Sequence, residues 1–146
     1  MQTLLYILLA VLIGAIISVY LPMNSSVSRY FGSPITANVS FFLVALLTAV
    51  LIFALFGDFR TVLKLKSIPP YLFLTGVISA FMVLGTTFLI PKLGARKLFI
   101  LLIAGQVIMA MIVSHFGILE SPKDPITLQK LVGVALLVLG AVVSMV

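Results

Sequence analysis

Between its clusters of charge the chain carries five uninterrupted apolar stretches, each about as long as a bilayer is thick. The charges fall at Arg29, Asp58, Arg60, Lys64, Lys66, Lys92, Arg96, Lys97, Glu120, Lys123, Asp124 and Lys130. A spanning helix needs ~20 largely apolar residues, because the hydrocarbon core is ~30 Å thick and each residue rises ~1.5 Å. The stretches therefore predict spans from Leu4 to Leu21, Thr36 to Phe56, Tyr71 to Ile90, Leu98 to Phe116 and Leu128 to Val146. Runs such as LFILLIAG lack the alternation with polar lumen positions that barrel strands need. The fold class expected is an all-α membrane protein of five transmembrane helices, a single integral membrane domain over residues 1–146. A composition of 63% hydrophobic and 8% charged residues, with mean hydropathy +1.39, excludes an ordinary globular domain with a wet exterior.

Proline and glycine divide the spans. Pro22 is expected to close the first helix, Ser33-Pro34 to open the second, Pro69-Pro70 to open the third, and Pro91 with Gly94 to mark the turn into the fourth; Pro122 and Pro125 bracket the last loop. At a helix's first turn proline forfeits an amide that has no partner anyway, whereas mid-membrane it frees a carbonyl in lipid. The first span lacks a basic flank and another span follows closely, so it reads as a retained helix and not as a secretory signal.

The net charge of +6 belongs at lipid headgroups, not on nucleic acid, because long segments carry no charge at all. With short loops alternating between the two faces, Arg60, Lys64, Lys66, Lys123 and Lys130 lie on the side of the N-terminus, and Arg29, Lys92, Arg96 and Lys97 on the other. Five cations against four give the positive-inside rule almost nothing to act on. Insertion in both orientations is the expectation; the alternative is that a few basic residues near the first helices decide it.

Every acid lies in a loop, so no carboxylate sits inside a span, and the one lysine or arginine within the expected limits is Lys130, in the first turn of the fifth. The usual device of a proton antiporter, an intramembrane carboxylate, is missing. The nearest titratable group is His115, at the end of the fourth span, which suits either a proton-linked role or ordinary interfacial hydrogen bonding. Gln106 is close to the middle of the fourth span and must turn away from lipid, toward another helix or toward a solute; Ala110 and Ser114 follow it at helical spacing. Ala10, Gly14 and Ser18 form a small-residue stripe suited to packing, and Tyr20, Pro22 and Asn24 a polar end that is either an interfacial cap or a cavity rim. Ser79 and Thr86 share a face of the third helix, and their hydroxyls can also bond the preceding turn. Asn38 reads as a capping or interhelical group, and Gly133, Gly140 and Ser144 as a packing face. One histidine and no cysteine leave no thiolate, metal cluster or Ser/His/Asp set, so neither an enzyme nor a cofactor or metal is expected.

An ordered set of motifs carries a family resemblance across nearly the whole chain: Pro22 and Asn24, then Gly32-Ser33-Pro34 and Ser40-Phe41, Pro91 with Leu93-Gly94, Gly105-Gln106, and His115-Phe116-Gly117 ahead of a proline-containing loop and a glycine-rich last helix. This pattern resembles the YdcZ-like branch of the drug/metabolite transporter superfamily, small five-helix proteins of the bacterial inner membrane. Tyr20 stands where that pattern commonly has glutamine, and Ser114 where an aspartate often precedes the histidine. The resemblance implies half of a ten-helix inverted-repeat transporter, completed by an antiparallel homodimer whose cavity is lined by the first, third and fourth helices. On that basis the substrate-facing residues expected are Gln106, Ser79, Ser18, Tyr20, Asn24 and Thr86, with His115 as the possible proton-linked group. The function expected is transport of a small solute across the inner membrane, with the lipid bilayer and a second copy of the chain as partners. The competing readings are a non-transporting scaffold or auxiliary subunit, and a small dual-topology channel.

Overall fold

Gly32, Ser33 and Pro34 show how the chain turns between spans. Gly32 takes φ +68°, the left-handed conformation that ends a helix; Ser33 caps the next by accepting from the Thr36 N–H at 3.3 Å; and Pro34 occupies its first turn. The computed structural model describes residues 2–145, so the expected end of the last span at Val146 lies outside the described residues. Every regular element described is helical: α1 (Gln2–Phe31), α2 (Pro34–Phe56), α3 (Leu74–Leu93), α4 (Ala95–Phe116) and α5 (Leu128–Met145), with short 3₁₀ segments at Phe59–Ser67, Pro70–Phe73 and Ile118–Glu120. Among the described residues, five helices are long and apolar enough to cross a membrane, the third counted together with its 3₁₀ lead-in from Pro70.

Pro22 does not close the first helix. α1 continues through it for nine further residues, giving 30 residues and about 45 Å of rise, well beyond the hydrocarbon thickness. The residues after the proline earn this extension through tertiary contact. Leu21, Asn24, Ser25 and Ser28 recur at helical spacing and are all buried. The Asn24 amide Nδ2 donates to Thr87 Oγ1 of α3 at 2.8 Å, and Ser25 Oγ donates to the Thr87 carbonyl at 3.3 Å. These bonds and this burial offset the carbonyl left without its partner by Pro22.

The chain divides into two compact units, one ending at Lys92 and the next beginning at Leu93. In the first, α1 packs against α2 and is bonded to α3, while α2 is bonded to α3 through Asn38, whose Nδ2 donates to the Ala80 carbonyl at 3.3 Å. What lies deepest there is small and polar: Ala37 and Thr87 are 0% exposed and Ser25 1%. Leu21 apart, the large aliphatic side chains of α1 and α2 point outward. This inversion of the soluble pattern follows from the solvent, because lipid tails are as apolar as leucine and only close backbone approach and hydrogen bonds distinguish inside from outside.

The second unit is the hairpin of α4 and α5. Gly117, at φ +63°, ends α4, and the Ser114 carbonyl accepts both the Gly117 N–H at 3.3 Å and the Asp124 N–H at 2.8 Å, folding the loop back on the helix end. At the opposite end the Arg96 guanidinium donates to the Ser144 carbonyl, satisfying one of the free carbonyls in the last turn of α5.

If the Asn24–Thr87 bond holds the extended half of α1, Thr87→Val should destabilise the protein by about 1 kcal/mol in reversible unfolding from mixed micelles, since it strands a buried amide. Ser26→Ala, which removes an exposed bond to the Pro22 carbonyl, should shift stability by less than about 0.5 kcal/mol.

Candidate functional site

The expected site residues divide between the two units. Ser18, Tyr20, Asn24, Ser79 and Thr86 lie in the first, Gln106 and His115 in the second.

Within the first unit, Asn24 of α1 and Thr86 of α3 are both buried, Asn24 in the seam with Thr87, which follows Thr86 in sequence. Each is 5% exposed; Thr86 Oγ1 donates to the Val83 carbonyl at 2.9 Å, and Asn24 is bonded to Thr87. Tyr20 is half-buried and stacks on Phe41 of α2, with ring centroids 5.9 Å apart and an interplanar angle of 17°. Ser18 and Ser79 stay outside this cluster, exposed on their helices. Ser18 Oγ returns its proton to the Gly14 carbonyl at 3.1 Å, which leaves the stripe of Ala10, Gly14 and Ser18 a small, outward-facing surface.

Three residues of this seam were not among the expected ligands. Thr87 receives both of α1's tertiary bonds, Ser28 is buried beside them, and Asn38 holds α2 to α3. The readable signal was the concentration of small hydroxyl and amide side chains in Asn24, Ser25, Ser26 and Ser28, together with the adjacent Thr86 and Thr87. Asn38 Oδ1 is buried and lacks a hydrogen-bond partner among the described residues. With Nδ2 engaged at Ala80, Oδ1 remains a free acceptor.

Gln106 has eleven residues of α4 before it and ten after, and it is exposed. Its amide enters no hydrogen bond with the described residues, although it has two donors and an acceptor to satisfy. Isolated in hydrocarbon, such a group costs several kcal/mol. Gln106 is thus the mid-span polar group for which the described residues supply no partner.

His115 has a definite structural bond. Its Nδ1 accepts the Ile126 N–H at 3.1 Å and its ring meets Phe116 edge-on at 4.8 Å, joining the end of α4 to the strand of loop that leads into α5. Ser114, just before it, faces Ser121 with 3.4 Å between hydroxyls. Neutral donors and acceptors thus make up both the buried seam and the mid-span position, chemistry suited to binding a polar solute through hydrogen bonds.

Residues 5–143 match a family model described as "Putative inner membrane exporter, YdcZ". The chain belongs to this DMT_YdcZ family. The match covers all five helices except their outermost residues at the two chain ends, and with it the resemblance carried by the proline, glycine and Gly105-Gln106 motifs holds. No curated protein and no solved structure matches the chain. Family and helices together make this a multi-pass inner-membrane protein of an exporter family, seated in the lipid bilayer.

Replacing His115 by Phe keeps an aromatic ring beside Phe116 and removes the acceptor for Ile126. Amide exchange at Ile126 in micelles should then accelerate roughly tenfold, the factor expected for one hydrogen bond of ~1.4 kcal/mol. An unchanged rate would mean that the imidazole does not hold the loop.

Proposed function

We propose that the protein is a carrier for a small polar solute, working as an antiparallel homodimer in which each chain supplies half of a ten-helix inverted repeat. The observation that carries this reading is Gln106, an exposed, unpaired amide at the middle of a spanning helix. Five helices packed around one centre leave little room for a solute once side chains fill the gaps, and a second, inverted copy provides a compartment at the depth where Gln106 lies. The near-tie of five cations against four on the two faces supports insertion both ways up. In such a pair, exchanging the conformations of the two halves converts an outward-open state into an inward-open one.

Gln106 is the primary solute contact in this scheme, with Tyr20 and Ser79 as further contacts. Asn24 and Thr86 act from the buried seam, where they fix the spacing of α1 and α3, and Ser18 lines the approach. With no carboxylate within the spans, transport runs as facilitated diffusion or with a coupling other than carboxylate protonation. His115 would then serve the loop and not the proton path, and the protein would catalyse no covalent chemistry.

Proteoliposomes loaded with a mixture of small polar metabolites should release at least one of them through the wild-type protein. Gln106→Ala should slow that release about tenfold, as loss of one hydrogen bond predicts, with the dimer recovered intact. Release at the wild-type rate would remove Gln106 from the site, and retention of every solute by the wild type would contradict a carrier.

A further inference from the structure

The hairpin of α4 and α5 contains a groove of about 490 Å³ whose two ends differ in chemistry. Val107, Met111, Val134 and Leu137 form its apolar walls, and Ser114, Asp124 and Lys130 stand at its mouth. From Lys130 to Leu137 is seven residues of helix, about 10 Å of rise, and Ser114 to Val107 is the same. That depth is somewhat less than the ~15 Å of one leaflet's hydrocarbon, and it begins at the face where the α4–α5 loop emerges. A smaller groove on the same face of the hairpin begins on the far side of Leu137, which serves as a wall for both. The first groove therefore belongs to a single leaflet.

The mouth carries opposite charges side by side. Lys130 Nζ donates to Asp124 Oδ1 and, at 2.8 Å, to the Pro125 carbonyl, leaving one of its three N–H donors free. The Asp124 side chain is 64% exposed and engages its partner through Oδ1, so Oδ2 is open. A zwitterion laid antiparallel to this pair would place a phosphate oxygen on the free ammonium donor and its own ammonium on Oδ2. A head bearing only negative charge would meet the Asp124 carboxylate without compensation.

We infer that this groove seats one acyl chain of a phospholipid with an ammonium-bearing zwitterionic headgroup, the headgroup lying against the Asp124–Lys130 pair. The site lies within the hairpin and does not require a second copy: its α4 wall carries Ala110 and Ser114, one and two turns beyond Gln106, but not Gln106 itself. Gly133 opens the groove on the α5 side. A Cβ added there meets no atom within 4 Å, so a larger side chain enters the groove without disturbing the backbone.

The test is photo-crosslinking of the full chain in nanodiscs containing phosphatidylethanolamine with a diazirine on one acyl chain, with adducts mapped by mass spectrometry. Adducts should concentrate on the groove walls, above all Met111 and Leu137, relative to Leu136 and Leu139, which are exposed elsewhere on α5. Gly133→Leu should reduce groove adducts at least fivefold while leaving those at Leu136 unchanged. Ala110→Leu, which enters the groove from α4, should do the same and decides the matter if the first variant folds poorly. Phosphatidylglycerol with the same labelled chain should give several-fold fewer groove adducts. Equal labelling of Leu136 and Leu137, or undiminished groove adducts in both variants, would overturn the site; equal adducts from the two lipids would overturn the headgroup assignment.

Discussion

Hydrocarbon offers no hydrogen bonds, so every polar group that this chain carries into the membrane must be satisfied by another part of a protein, by trapped water or by a solute. That constraint organises the first unit. Asn24 and Ser25 donate to Thr87 and Thr86 donates to the Val83 carbonyl, and the resulting seam keeps α1 helical beyond its proline. The apolar side chains take the positions that are left and point outward, where lipid receives them at no cost. Within the hairpin the same constraint is met at the ends of the helices, by His115, Ser114 and Arg96, and is left unmet at Gln106. That contrast between bonded hydroxyls and a free mid-span amide is what the proposed carrier reading rests on.

The number and approximate limits of the helices were legible because they depend on hydropathy over ~20 residues and on where charges stop. The turn at Gly32-Ser33-Pro34 was legible for a local reason, since each residue type suits its backbone position. The continuation of α1 through Pro22 was not. Read locally, a proline followed by Asn24, Ser25, Ser26 and Ser28 looks like the end of a span, and only the bonds to Thr87, 62 and 63 residues further on, reverse that reading. Asn38 as an interhelical group was legible because an amide within a span has few other uses, and the structure gives it Ala80 as partner.

The candidate site was legible by residue type more than by role. The sequence pointed to neutral polar groups within the spans, because no carboxylate is there and the cations lie only in loops and near the helix ends. Whether a hydroxyl turns to its own helix, as at Ser18, or to a neighbouring one, as at Ser25, depends on rotamers and packing that spacing does not encode. His115 illustrates the same point: its position at a helix end suggested both a proton-linked group and a loop anchor, and the Ile126 N–H supplies the second with a concrete partner.

The charge balance bears on assembly through a different physical route, acting during insertion instead of within the folded protein. In the proposed arrangement the near-equal numbers of cations on the two faces would make the free-energy difference between the orientations small, and a population inserted both ways would contain the copies that an inverted pair requires. The chain has no cysteine, so one introduced by Ser67→Cys, in the connection between α2 and α3, is a unique reporter of sidedness. Labelling intact inner-membrane spheroplasts with a membrane-impermeant maleimide before and after permeabilisation tests the central claim most directly. The account predicts that roughly half of the molecules react from outside and the remainder after permeabilisation; labelling confined to one side would contradict it.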